Sequence, residues 1–204
     1  MNVLSLFDGI SCGQLALNRA GVKYDKYYSS EIDQNAIKIA QLNFPDTIQL
    51  GSVHSVKAEN LEPIDLLIGG SPCQGFSFAG NMLSFNDPRS QLFFEFVRLV
   101  RECKPKYFLL ENVVMRKQDQ AVITTLLGVS PIKINSSLVS AQNRPRLYWT
   151  NIPIHSLPND KGITFGSVME SNPSPTVAIA IDNQTFLPNF CPPKNCSKSG
   201  VATT

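Results

Sequence analysis

Short apolar runs that end abruptly in glycine, proline or an acid, each followed by a segment with helical spacing, recur along this chain and restrict it to one class of fold. Residues 3–7 form the first run and lead into the turn Asp8-Gly9-Ile10-Ser11-Cys12-Gly13. Leu15, Leu17 and Ala20 continue as a helix to Gly21, a C-terminal glycine. Residues 27–31 read as a second strand. Asp33 is placed to cap a helix through Ala36, Ile37, Ala40 and Gln41 that stops before Pro45. Residues 48–53 form a weaker strand, and residues 66–68 a compact one that runs into Gly69-Gly70-Ser71-Pro72. After a polar loop over 73–86, Asp87-Pro88 opens a helix with Leu92, Phe93, Phe96, Leu99, Val100 and Cys103 at helical spacing. Residues 107–110 form a buried strand, 120–127 a helix that ends at Gly128, and 132–139 and 147–152 two more strands. Strands that alternate with helices imply an α/β fold with a mostly parallel sheet and helices on both faces.

Composition bounds the rest. A chain of 204 residues, 43% hydrophobic and 17% charged, can bury one sizeable core. Its net charge of +2 permits a nucleic-acid partner without demanding one. The five cysteines are an odd number, and no secretory signal precedes the first strand, so free thiols in a reduced, intracellular compartment are expected. No apolar run is long enough to cross a bilayer, and no membrane partner is expected. Beyond about Pro153 proline, asparagine, serine and threonine dominate. Residues 177–181 form one strand, and the end from Pro188 is a poorly ordered tail. The expected organisation is a core over 1–152 and a short, partly irregular extension over 153–204.

Ligands of open α/β sheets bind beyond the carboxyl ends of the strands, and the loops richest in chemistry here sit at such ends. Pro72-Cys73-Gln74 places a thiol in a Gly/Ser/Pro loop at a strand exit. It suits a nucleophile, and taken alone it equally suits a small hydrophobe closing a turn. Glu111-Asn112-Val113 follows a buried strand, where a carboxylate is costly unless paired or functional, or caps the next helix. In Gln142-Asn143-Arg144-Pro145-Arg146, alternate residues share a face, and two guanidiniums there suit a phosphate or a polar base edge, or simply a solvated loop. The turn from Phe7 to Gly13 carries two glycines and lets a ligand approach the backbone, but lacks the dinucleotide fingerprint. Glu31 ends the next strand, where an acid meets ribose hydroxyls in nucleoside-binding folds, though a lone acid there also serves as a surface charge.

Taken in order, Leu4-Ser5-Leu6-Phe7-Asp8-Gly9-Ile10, Gly70-Ser71-Pro72-Cys73-Gln74, Glu111-Asn112-Val113 and Gln142-x-Arg144-x-Arg146 resemble the DNA (cytosine-5)-methyltransferase family. Ile-Gly-Gly-Ser-Pro-Cys, Leu-Phe-Phe-Glu-Phe at 92–96 and Glu-Asn-Val-Val at 111–114 look closest to its de novo-type branch. The resemblance runs from about Val3 to Ile152. It implies a Rossmann-like fold dependent on S-adenosyl-L-methionine, truncated at the C-terminal side, because the recognition region and the Gly-Asn segment that closes the cofactor site in that family are not found after Ile152.

It further implies that Phe7, Asp8, Gly9, Ile10, Ser11, Cys12, Gly13, Glu31, Ile32, Ser52, Val53 and Leu92 bind the cofactor. Glu31 would take the ribose, and Ser52 stands where many relatives carry an aspartate that binds the adenine amino group. Cys73, Glu111, Arg144 and Arg146 would be catalytic, and Pro72, Gln74, Asn112 and Gln142 would meet the substrate. Cys73 would add to C6 of a cytosine flipped out of double-stranded DNA while Glu111 hydrogen-bonds N3. No metal is expected, since Cys191 and Cys196 make a lone pair in the tail. Three other outcomes fit the same motifs: half of a split enzyme completed by a second protein chain, a non-catalytic relic that still binds DNA or cofactor, or a methyltransferase acting on tRNA cytosine, which the plain Pro-Cys-Gln and the de novo-like details disfavour.

Overall fold

The computed structural model describes residues 1–72 and 88–169. The expected loop over 73–86, the Asp87 cap, the strand at 177–181, Cys191 and Cys196 lie outside the described residues. The chain divides into two compact units, Met1–Asn135 with Arg144–Leu157, and Ser136–Asn143 with Pro158–Thr204.

In the first unit a seven-stranded sheet has the order β3-β2-β1-β4-β5-β7-β6. The strands are β1 (Asn2–Leu6), β2 (Lys26–Ser30), β3 (Ile48–Gln49), β4 (Leu66–Gly69), β5 (Tyr107–Val113), β6 (Ile132–Asn135) and β7 (Pro145–Thr150). The ladders from β3 to β5 are parallel, and β7 runs antiparallel to both β5 and β6. The helices are α1 (Cys12–Arg19), α2 (Gln34–Asn43), α3 (Pro88–Cys103) and α4 (Lys117–Leu127).

From β1 the chain steps outward to β2 and β3, then returns and steps the other way from β4 to β5. Right-handed crossovers therefore put α1 and α3 on opposite faces. One face packs Leu4, Tyr28, Leu67, Phe108, Leu110 and Trp149 against Phe93, Phe96 and Leu99 of α3 and Ile123 of α4. Each of the large side chains buried there contributes roughly 2 kcal/mol. The opposite face carries Val3, Tyr27 and Leu66 with Leu17 of α1 packed against them. Among the described residues no helix is long and apolar enough to cross a membrane.

The structure corrects several element bounds. α1 begins at Cys12, so Cys12 and Gly13 belong to its first turn. β3 keeps only two residues, because Gly51 turns the chain at φ 72° and Val53–Ser55 coils into a 3-10 turn. β5 runs on to Val113, where Glu111, Asn112 and Val113 pair with Tyr148, Leu147 and Arg146 of β7. Glu111 therefore sits within a strand instead of a loop. β6 stops at Asn135, because the Ser136 carbonyl gathers the Val139 and Ser140 amides and the Ser140 hydroxyl into a tight turn. Pro145 opens β7, the strand position at which a missing N–H is tolerated. At its other end the Thr150 hydroxyl donates to the Phe108 carbonyl and the Asn151 side chain accepts from the Phe108 amide, ending the ladder.

Three caps expected from the sequence stand, the first being Gly21, which follows α1 in the left-handed region at φ 68°. The Asp33 carboxylate accepts from the Asn35 and Ala36 amides, and Gly128 closes α4 in the left-handed region at φ 72°. In the second unit the described residues form the 3-10 turns Ser136–Leu138 and Phe165–Val168, with the Lys161 amide donating to the Leu138 carbonyl.

Candidate active site

Strand order reverses between β1 and β4, and a crevice opens beyond their carboxyl ends, the position at which open α/β sheets bind ligands. A cleft of about 260 Å³ lies there, walled by Phe7, Ser30, Glu31, Ile32, Gly51, Ser52, Val53, His54, Pro72 and Leu92. Phe7, Glu31, Ile32, Ser52, Val53 and Leu92, which the resemblance assigns to the cofactor, thus meet at one place together with Pro72. Ser30 and His54 join them without having been singled out in the sequence. Ser30 was legible as the neighbour of Glu31, whereas His54 gave no signal beyond its position after Val53.

The turn after β1 is shaped to deliver Phe7 and Glu31 to that cleft. Phe7 and Ser11 both adopt positive φ, 56° and 64°, a costly conformation that the surroundings must enforce. The Asp8 carboxylate enforces it by accepting four hydroxyls: Ser5 and Tyr27 on Oδ1, Ser11 and Ser29 on Oδ2. Burial first, and the neighbouring Asp8 charge second, push the Tyr27 phenol far above its ordinary range, so it remains a donor.

Gly9 donates its amide to Glu31 Oε2 at 2.8 Å, while Glu31 Oε1 takes the Ile32 and Asp33 amides at 2.8 and 3.0 Å. The carboxylate is fixed at the cleft wall with one lone-pair position still free on Oε2. Asp8, Gly9, Ile10, Ser11, Cys12 and Gly13 do not line this cleft. Ser11 is buried, Ile10 and Cys12 are exposed, and Gly13 packs where a Cβ would lie 2.5 Å from Ile68 Cδ1 and 3.1 Å from the Tyr27 hydroxyl.

A second cluster lies at the ends of β4 and β5. Arg146 Nε meets Glu111 Oε1 at 2.8 Å, across the β5–β7 ladder. Gly70 leaves room for this carboxylate: a Cβ there would lie 3.1 Å from Glu111 Oε2. Asn112 points to the other face, where its amide nitrogen donates to the Ser71 carbonyl at 3.2 Å and to the Ser71 hydroxyl at 3.3 Å. β5 thereby holds Ser71, the residue before Pro72, through Asn112, with Glu111 alongside Gly70. Burial, and next the Glu111 charge, raise the Tyr148 phenol, against a smaller lowering by Arg146 and Arg144. Arg144 is exposed, its amide tied to Asn135 Oδ1 at 2.9 Å. Gln142 belongs to the second unit, and Cys73 and Gln74 lie outside the described residues.

The orphan methyltransferase M.Rho11sI of Bacillus phage rho11s is 34% identical over 176 residues, 80% of this chain and 35% of the phage protein. The type II methyltransferase M1.ScrFI of Lactococcus lactis subsp. cremoris is 35% identical over 168 residues, 77% of this chain and 43% of its own. Among solved structures, one described as a DNA modification methyltransferase encoded within an E. coli prophage superposes with a TM-score of 0.61 at 34% identity, covering 74% of this chain and 46% of that one. The chain thus spans less than half the length of these relatives. The model of the family described as C-5 cytosine-specific DNA methylase matches residues 1–126, which build β1 to β5 and the whole wall of the cleft. By that match the chain belongs to the C-5 cytosine-specific DNA methylase family.

Proposed function

We propose that this chain carries the catalytic core, within residues 1–152, of a DNA cytosine-5 methyltransferase, with S-adenosyl-L-methionine as cofactor and double-stranded DNA as substrate. One observation carries the reading. The cleft at the reversal of strand order is walled by Pro72, the residue before Cys73, and Glu111 packs on Gly70 in the same stretch of chain.

The cofactor fits the residues present. A carboxylate pinned by three amides at the end of β2 suits ribose hydroxyls, and the walls of Phe7, Ile32, Val53 and Leu92 suit a flat base. When bound, it supplies an electrophilic methyl group. The chain's own residues do the rest. Cys73 as thiolate adds to C6 of a cytosine turned out of the helix, which makes C5 a carbon nucleophile. Glu111, held by Arg146, shares a proton with N3, which takes it up as thiolate addition puts negative charge on the ring. Arg144 and Arg146 position the base and its phosphate. After methylation solvent water takes the C5 proton and Glu111 recovers the proton from N3, while the Cys73 sulfur leaves as thiolate and the aromatic ring is restored.

Duplex DNA containing 5-fluorocytosine tests this, since fluorine at C5 cannot leave as a proton does and the adduct persists. Incubation with labelled cofactor should give a covalent protein–DNA species that Cys73→Ser abolishes. An adduct that survives Cys73→Ser would show that the nucleophile is another residue. An adduct that forms only when cell extract is added identifies the chain as one part of an enzyme completed by a second chain. No adduct in either case, with DNA still bound, would leave a binding protein.

A further inference from the structure

We propose that Arg98, on α3 and off the cleft wall, is the positioning residue for the turn that forms one side of the cofactor cleft. The inference rests on the reading of that cleft as a cofactor site. The segment Ser52–Val56 supplies Ser52, Val53 and His54 to the wall, yet its 3-10 core is only three residues long, Val53–Ser55. One such turn has no stability of its own, and it follows Gly51 at φ 72°. Its shape must be imposed from outside.

α3 imposes it at three points. Val53 and Val56 are buried in the cluster that contains Phe93, Phe96 and Val97. Arg98 Nη2 donates to the Val53 carbonyl at 3.2 Å and to the Val56 carbonyl at 3.0 Å, bracketing the turn at both ends. Glu95 takes Arg98 Nε and Nη2 at 2.8 and 2.6 Å, and its other oxygen lies 3.5 Å from His54 Nδ1. Arg98 Nη1 meets Glu102 Oε2 at 2.8 Å.

All three guanidinium nitrogens donate, to Glu95, Glu102 and the two carbonyls, so the plane is held while it brackets the turn. A lysine has the charge but no planar fork and cannot reproduce this. Leu92 lies on the same helix and lines the cleft. α3 thus sets the distance between two parts of the wall, and Arg98 is the polar link that keeps them in register.

Titration of the chain with S-adenosylhomocysteine by calorimetry tests this, together with amide hydrogen exchange at Ser55 and Val56 in the unliganded protein. Their amides close the turn onto the Ser52 and Val53 carbonyls. Arg98→Ala should weaken binding on the order of tenfold or more, since a binding group displaced by about an ångström carries penalties of that size. Exchange should quicken at Ser55 and Val56 but not in β1 or β4. Arg98→Lys should fall between wild type and alanine, and Arg101→Ala, an exposed neighbour on α3, should bind as wild type. Equal binding by wild type and Arg98→Ala, or an equal loss in Arg101→Ala, would overturn the inference. Should Arg98→Ala fail to fold, the lysine variant decides by the same two readouts. Should wild type bind no ligand, the cofactor reading falls, and exchange at Ser55 and Val56 still decides whether Arg98 holds the turn.

Discussion

Asp8 gathers four hydroxyls on one carboxylate beside the cleft. Its motif is legible in the sequence, but its partners are not, because Tyr27 and Ser29 arrive from β2 through strand register. Removing the charge should show in stability first. Asp8→Asn leaves a single acceptor oxygen among the hydroxyls and should cost about 2 kcal/mol or more in urea denaturation. A change in ligand affinity at an unaltered unfolding midpoint would instead make Asp8 a ligand contact. Tyr27 supplies a pH signature. Its folded pKa is raised above the unfolded value near 10, so below that value both states hold the proton and its contribution is complete. As pH climbs past about 10 the unfolded chain ionises first, and stability falls by up to ~1.4 kcal/mol per unit. Denaturation between about pH 8 and 11 should therefore show a shallower alkaline decline in Tyr27→Phe than in wild type; parallel curves would deny that Tyr27 resists ionisation in the fold.

At the scale of elements, helices were easier to read than strand ends. Asp33 and Gly128 mark their helices by local chemistry, a side-chain cap and a left-handed glycine, and such signals need no partner. The reach of β5 to Val113 depends on β7, which lies far along the chain and runs against its neighbours. No local pattern at Glu111 announces that a strand will pair with it. The same dependence explains Gly69, which is a glycine for packing: a Cβ there would lie 3.1 Å from the Leu6 carbonyl oxygen and 3.1 Å from the Phe96 ring. Backbone and a fully buried ring have little room to yield. Gly69→Ala should lower stability by about 1–3 kcal/mol, as overpacking does. Gly51→Ala meets open space but keeps φ 72°, and it should cost about 1 kcal/mol from strain alone. Thermal unfolding of both variants checks the order; a larger loss at Gly51 would mean that the contact between β4 and α3 is looser than the geometry shows.

The charge balance of this chain bears on how the proposed DNA substrate would be held. A net charge of +2 leaves little long-range attraction for a polyanion, so grip must come from a few placed cations. Arg144 and Arg146 are two residues apart in the chain, and the sequence treats them alike. The fold separates them, because Arg146 is drawn onto Glu111 while Arg144 stands in solvent at the start of β7. A guanidinium already matched by a carboxylate releases little counterion when a phosphate arrives. Binding of a short duplex, followed by fluorescence anisotropy over a range of salt, should separate the two. Each phosphate contact adds about 0.9 to the slope of log K against log salt. Arg144→Ala should lower that slope by about 0.9, and Arg146→Ala by clearly less, while costing more in adduct formation because Glu111 loses its holder. Equal reductions would mean that the pair with Glu111 opens on DNA and that both arginines serve the backbone. The opposite ranking would assign the proposed phosphate contact to Arg146 instead of Arg144 and leave Glu111, the proposed partner of N3, without a fixed position.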